Sequence, residues 1–135
     1  MRRGAPGHLF VAALGLTLAA PAAGHEPMPP HAAFAEATPP SRSFDSILDI
    51  ADTLAGTGEG RIEIRIETDP SRPDARVLLV TASGYADDSV EGTQWRFLAM
   101  PDPADAGRWQ VIEAGERWRC YRGRTPMVWQ PRLCI

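Results

Sequence analysis

The hydrophobic period of the chain changes at Gly60, and this change constrains the fold more than any other feature. Before it, apolar residues recur every three or four positions within residues 41–55, as on one face of an amphipathic helix. After it, residues 61–67 alternate Arg or Glu with Ile, which is typical of a strand with one buried face. We predict that Ser43 caps the helix, that Gly56 ends it, and that the three isoleucines point into the core.

Four further segments predict strands, because they are rich in apolar or β-branched residues and are bounded by turn sequences. The predicted strands cover residues 77–80, 93–100, 108–113 and 116–122. Ala114-Gly115, between the last two, has the spacing of a tight hairpin. The sequence therefore predicts an α+β domain, in which one N-terminal amphipathic helix packs on an antiparallel sheet of about five strands.

The first 24 residues have the layout of a secretory signal peptide. Two arginines precede an apolar stretch from Leu9 to Ala20, and small residues follow as far as Gly24. The apolar stretch is shorter than the roughly 20 residues that span a bilayer. We expect an ordinary Sec-type signal, cleavage after Ala22 or after Gly24, and a periplasmic or secreted location.

Residues 25–40 contain five prolines and no apolar period. Such a composition favours an extended, flexible segment over a packed one. We therefore predict a flexible leader at residues 25–40, followed by a single folded domain at residues 41–135.

Export bears on the two cysteines, because disulfides persist in oxidising compartments. Cys120 and Cys134 most simply pair with each other and close the C-terminal end of the domain. A tetrahedral zinc site is the rival interpretation, and it lacks ligands because no histidine lies near these cysteines.

Composition limits the available chemistry. All 14 basic residues are arginine, and the three histidines lie before the predicted domain. The domain therefore cannot assemble Ser-His-Asp or Cys-His groups or a lysine Schiff base. Carboxylates remain, with Asp87, Asp88 and Glu91 in one predicted turn and Asp102 and Asp105 in another. A carboxylate-only hydrolase is the least favoured hypothesis, since turn acids are ordinarily solvated, and we predict that the protein is not an enzyme.

Charge is divided unevenly along the chain. Residues 25–116 contain 7 Arg and 17 acidic residues, whereas residues 117–135 contain 5 Arg and no acidic residue. Arginine mixed with aromatic residues is typical of surfaces that bind anionic ligands or proteins. The predicted binding residues are Arg119, Arg122, Arg124 and Trp129.

This pattern predicts a non-enzymatic binding module for an envelope protein or an anionic envelope component. The alternative is that the arginines pair with the acidic remainder while the aromatic residues fill core around the disulfide. A nucleic-acid partner is disfavoured, because the chain without its signal peptide is net negative.

The leader also suggests a metal site. Cleavage after Ala22 would start the chain at Ala23-Gly24-His25, whose amine, amide nitrogens and imidazole can surround Cu(II) in a plane. Cleavage after Gly24 would make His25 the first residue, with His31 nearby. A periplasmic copper-binding protein acting through His25 and His31 is therefore the alternative function. The simpler interpretation is a spacer without a cofactor, since short His tracts are compositional signals only.

The chain ends with the segment Trp118–Arg124, reading Trp-Arg-Cys-Tyr-Arg-Gly-Arg, and then with Trp129 and Cys134. This ending resembles that of a group of small exported bacterial proteins of uncharacterised function, which close with a Cys-x-x-Gly-Arg stretch, a Trp and a last Cys. The resemblance covers mainly residues 93–135 and implies no activity. Thr125-Pro126 stands here where that group has Gly. A weaker resemblance is to the C-terminal disulfide loop of type IV pilins, whose long apolar N-terminal helix this sequence lacks.

Overall fold

The computed structural model describes Gly24, residues 26–56 and residues 60–135. Of these residues, 48% lie in strands and 10% in helical segments, so the fold is mainly β. The strands are β1 (Ala35–Ala37), β2 (Ser43–Phe44), β3 (Arg61–Asp69), β4 (Arg72–Ser83), β5 (Val90–Pro101), β6 (Trp109–Cys120) and β7 (Trp129–Gln130). The helical segments are a 3-10 turn at His31–Ala33 and one α-helix, α1, at Ile47–Leu54.

The predicted α+β class is wrong, because one helix of eight residues does not form a layer against the sheet. Ser43, the predicted N-cap, lies in β2 and pairs with Gln110. Ser46 caps α1 instead, and its hydroxyl oxygen accepts the Asp49 N–H at 3.1 Å. Gly56 follows the C-cap residue with φ of 68°, as predicted for a helix stop. No helical segment within the described ranges has the length and apolar character needed to cross a membrane.

All seven strands belong to one antiparallel sheet. Its order is β1-β6-β5-β4-β3, and β2 and β7 also pair with β6. The strands β3 to β6 thus follow one another both along the chain and across the sheet. β6 pairs with four strands, which makes it the strand that joins the N-terminal and C-terminal segments to the rest of the fold.

β6 runs without interruption, so the predicted hairpin at Ala114-Gly115 is wrong. Within the ladder, Ala114 pairs with Phe97 and Gly115 pairs with Arg96. A Cβ added to Gly115 would lie 2.7 Å from the Phe34 Cβ, closer than such atoms can approach. The glycine therefore permits the close passage of another backbone segment and does not mark a turn.

The structure brings part of the predicted leader into the sheet. β1 lies against β6, with Glu36 opposite Gly115. Phe34 is buried, and Arg96 donates its Nε–H to the Pro29 carbonyl at 3.0 Å. A short strand, an apolar side chain and a hydrogen bond thus hold this segment. The predicted signal peptide lies outside the described residues, apart from Gly24.

The main core lies on the sheet face towards α1. It consists of Phe44, Ile50, Ala51, Ala55, Leu78, Val80, Phe97, Ala99, Val111 and Ala114. On the same face, Ile62, Ile64 and Ile66 of β3 are 43%, 38% and 42% exposed. The prediction that these three point into the core is therefore wrong. β3 is the outermost strand of the sheet, and α1 packs against β2 and β4.

Candidate functional site

The predicted disulfide between Cys120 and Cys134 is confirmed. It joins the end of β6 to the last residues of the chain and encloses what we call the C-terminal loop, residues 121–133. Hydrogen bonds brace this loop: the Met127 N–H donates to the Cys120 carbonyl at 2.8 Å. The Gln130 amide donates to the Cys120 sulfur at 3.0 Å, and the Thr125 hydroxyl donates to the Gln130 amide oxygen at 3.0 Å.

Three arginines line one pocket beside the disulfide. This pocket, which we call the arginine pocket, has a volume of about 320 Å³ and is lined by Arg122, Arg124 and Arg132 together with both cysteines. All three arginines are exposed. Arg122 donates from Nε and Nη2 to the Asp88 carbonyl at 3.0 and 2.7 Å, and this acceptor carries no formal charge. Within the described ranges, no carboxylate lies within 4.0 Å of any of the three guanidinium groups.

The structure divides the predicted binding residues into two groups. Arg122 and Arg124 lie in the arginine pocket, whereas Arg119 and Trp129 face each other across β6 and β7. The Arg119 guanidinium carbon lies 4.6 Å from the centre of the Trp129 ring, and its Nε–H donates to the buried carboxylate of Glu91. Arg119 is thus charge-paired, and together with Trp129 it fixes β7 on the sheet.

The sequence did not predict a polar cluster on the sheet face opposite α1. Gln94 is 6% exposed, donates to the Thr81 hydroxyl at 2.8 Å and accepts from Arg117 Nε at 2.7 Å. The Arg117 guanidinium lies 4.5 Å from the Phe34 ring centre and 5.6 Å from that of Trp129. Burial lowers the pKa of Arg117. Thr81, Gln94 and Arg117 lie on β4, β5 and β6, so they come together only through the register of these strands, which the sequence alone does not show.

Besides Glu91, two of the turn carboxylates act as hydrogen-bond acceptors. Asp87 accepts the backbone N–H groups of Ser89 and Val90 at 2.6 and 2.8 Å. These bonds, with Val90 contributing most, hold the pKa of Asp87 below its usual value. Asp102 accepts the Ser43 hydroxyl and the Ala104 N–H, which likewise lower the pKa of Asp102. A depressed pKa suits a structural acceptor and does not suit a general acid.

Glu116 differs from these turn acids, because burial raises its pKa. In the sheet its direct neighbours are Ala35 on β1 and Trp95 on β5. Neither neighbour supplies the second carboxylate that a glycosidase-type pair needs. A hydrolase that uses only carboxylates therefore stays the least favoured hypothesis.

Replacing Ser43 with Ala is expected to raise the pKa of Asp102 towards its ordinary value, because the Ser43 hydroxyl is the main cause of the depression. With a folded pKa below the unfolded one, Asp102 stabilises the fold above the ordinary carboxyl pKa, and this contribution is lost as the pH falls through the folded pKa. The variant should therefore depend less on pH in this acidic window. Carboxyl NMR titration measures the shift, and Asp87 is the internal control. An Asp102 pKa that stays unchanged in the variant would contradict the assignment.

The two histidines of the copper hypothesis have different positions. His25 lies outside the described residues, whereas His31 begins the 3-10 turn and has a buried Nδ1 without a hydrogen-bond partner there. In the part of the chain that the structure describes, no group of three or more His, Cys, Asp or Glu side chains is placed to hold a metal ion. Copper binding through the leader stays a prediction.

Comparison with known proteins adds no identity to this geometry. No family model, no curated protein and no solved structure matches the chain. The resemblance of the C-terminal segment to small exported bacterial proteins, and its weaker resemblance to pilins, stay predictions. Because no comparison indicates a function, the function is inferred from the arginine pocket.

Proposed function

We propose that this protein is an exported, non-enzymatic binding module that holds an anionic group in the arginine pocket. The group would be a phosphate, sulfate or carboxylate carried by an envelope polymer or an envelope protein. One observation carries the proposal: Arg122, Arg124 and Arg132 share one pocket, and no carboxylate of the described residues lies within 4.0 Å of them.

The chemistry of the guanidinium group favours an anionic ligand. Its planar fork of N–H donors matches the oxygens of carboxylate and phosphate, and such charge-assisted bonds are stronger than neutral ones. Like charges gathered in one pocket repel each other, and an anion bound between them relieves this repulsion. The surrounding chain is acidic, so the pocket is a local positive site on a protein with net negative charge.

The disulfide supports the proposal in two ways. It links the two ends of the C-terminal loop, which reduces the conformational freedom that the arginines would lose on binding. A disulfide also fits an oxidising compartment, and this agrees with the predicted export signal. The braced loop thus favours ligand binding, and the disulfide favours a ligand outside the cytoplasm.

Arg124 and Arg132 give the sharper test, because Arg122 also holds the Asp88 carbonyl and its loss could disturb the neighbouring turn. We expect R124A/R132A to weaken binding to dextran sulfate by about thirtyfold, as two charge-assisted contacts of about 1 kcal/mol each are lost. The measurement is the dissociation constant at several salt concentrations. The salt dependence should fall as well, since fewer charges are screened.

The matched control is R42A/R72A, which removes the same charge from exposed arginines outside the pocket. It should bind dextran sulfate nearly as the unmodified protein does. Equal weakening in both variants would mean that binding follows net charge, and it would overturn the pocket as the site. No binding by the unmodified protein to dextran sulfate, polyphosphate or polyglutamate would overturn the proposed function.

A further inference from the structure

β3 is an edge strand, and among the described residues its charged side chains are its main protection against pairing with another strand. Among the described residues its only strand neighbour is β4, and its nine residues contain neither proline nor lysine. The ladder with β4 is regular from Arg61 to Thr68 and shifts register only at the end, between Thr68 and Asp69. Natural edge strands are ordinarily shortened, bulged or covered, since an open edge accepts another strand. β3 is long and regular.

β3 also leaves apolar surface open. Ile62, Ile64 and Ile66 lie opposite Ala82, Val80 and Leu78 of β4, so their face continues the main core. Each isoleucine nevertheless remains about two-fifths exposed. The core face therefore ends in an apolar row at an open edge, where a further strand would extend both the hydrogen bonding and the apolar layer.

The charges on the other face of β3 are self-complementary. The sequence Arg61–Glu67 reads Arg-Ile-Glu-Ile-Arg-Ile-Glu. If two copies pair antiparallel with Ile64 opposite Ile64, then Glu63 faces Arg65 and Arg61 faces Glu67 of the other copy. Two-fold symmetry repeats both pairs, which gives four Glu–Arg pairs on one face and an unbroken row of isoleucines on the other.

Other registers lose part or all of this complementarity. A pairing centred on Arg65 sets Arg65 against Arg65 and Glu63 against Glu67. A pairing centred on Glu63 sets Glu63 against Glu63 and Arg61 against Arg65. A shift by one residue places isoleucine opposite charge and mixes the two faces. A pairing centred on Ile62 keeps Arg61 against Glu63 but aligns only residues 61–63 of β3. One centred on Ile66 keeps Arg65 against Glu67 but sets Glu63 against Asp69. The register with the two-fold axis at Ile64 therefore matches the most Glu–Arg pairs within β3.

We infer that β3 is a dimerisation strand, through which two copies of this chain join their sheets edge to edge in that register. Within one chain, Glu63 and Glu67 already bridge Arg61 and Arg65 at 3.6 and 2.8 Å, so the charged side chains lie along the strand and a second copy adds partners across it. This inference is independent of the proposed anion binding, because the arginine pocket contains no residue of β3.

Charge reversal tests the register directly. We expect the unmodified protein, without its signal peptide, to sediment at twice the mass of one chain. E63R sets an arginine against Arg65 of the other copy, and R65E sets a glutamate against Glu63, so each single variant should sediment as a monomer. The double variant E63R/R65E restores opposite charges at both positions and should recover the dimer.

Mixing the two single variants is the most specific measurement. Positions 63 and 65 are both arginine in the E63R chain and both glutamate in the R65E chain, so every facing pair between the two chains has opposite charges. The mixture should therefore form a heterodimer although neither variant dimerises alone. Thermal unfolding of each variant shows whether the fold is kept, and E36R is the matched control on the opposite edge strand β1. A monomeric unmodified protein, or dimers that persist in both single variants, would overturn the inference.

Discussion

Replacing both Cys120 and Cys134 with alanine is expected to lower the free energy of unfolding by about 3 kcal/mol, the value for a closed loop of this length. The bond restricts the unfolded chain, and few other contacts can compensate for its loss. Met127, Val128 and Leu133 of the C-terminal loop are 52%, 54% and 67% exposed. Urea unfolding followed by tryptophan fluorescence measures the change.

The same variant should lose binding to dextran sulfate, because Arg132 is joined to the rest of the arginine pocket through the disulfide. The unmodified protein after reduction and alkylation is the control, and it should show the same two losses. A variant with unchanged unfolding and unchanged binding would contradict the view that the disulfide organises the pocket. Loss of stability with unchanged binding would show that the disulfide is not needed to organise the anion site.

Replacing Phe34 with Ala is expected to cost about 3 kcal/mol of folding free energy, the lower end of the range for a buried phenylalanine. Phe34 is 7% exposed and packs against Gly115 of β6, and the Arg117 guanidinium lies over its ring. Its loss leaves a cavity and frees the short strand β1. Urea unfolding measures the free energy, and amide hydrogen exchange in β1 measures the local release.

The control for this variant is Leu48→Ala on α1, because Leu48 is 54% exposed and its truncation removes apolar volume from the surface. It should cost less than about 1 kcal/mol. Equal costs in the two variants would mean that the segment before β1 is not anchored by its aromatic side chain.

The strands that the sequence predicts best are those with a strong local pattern. The alternation in residues 61–67 and the apolar runs at 77–80 and 93–100 lie within β3, β4 and β5. The turn prediction at Gly115 is wrong because glycine marks both turns and close approaches, and only the position of Phe34 separates the two. Likewise, alternation shows that the isoleucines share a face, but it does not show whether another element covers that face.

The sequence predicts those residues of the candidate site that lie close together along the chain. Arg122 and Arg124 are two positions apart and follow Cys120, so one short segment identifies them. Arg132 is brought to them by the pairing of β7 with β6 and by the disulfide. Arg119 lies outside the pocket, because the strand register places it against Trp129 and Glu91. The predicted helix is too long, since the apolar period from residue 41 includes β2, whose two residues pair with a strand far along the chain.

The pairing of β6 with four other strands imposes an order of assembly. β1, β2 and β7 reach the sheet only through this strand, and its last residue carries the disulfide. The earliest strands must therefore wait, unpaired, until the final quarter of the polypeptide has been made, and closing such long intervals slows folding. The β3–β4–β5 meander, whose strands are neighbours in sequence, can pair before β6 is made, so the N-terminal and C-terminal segments are the last parts of the sheet to close.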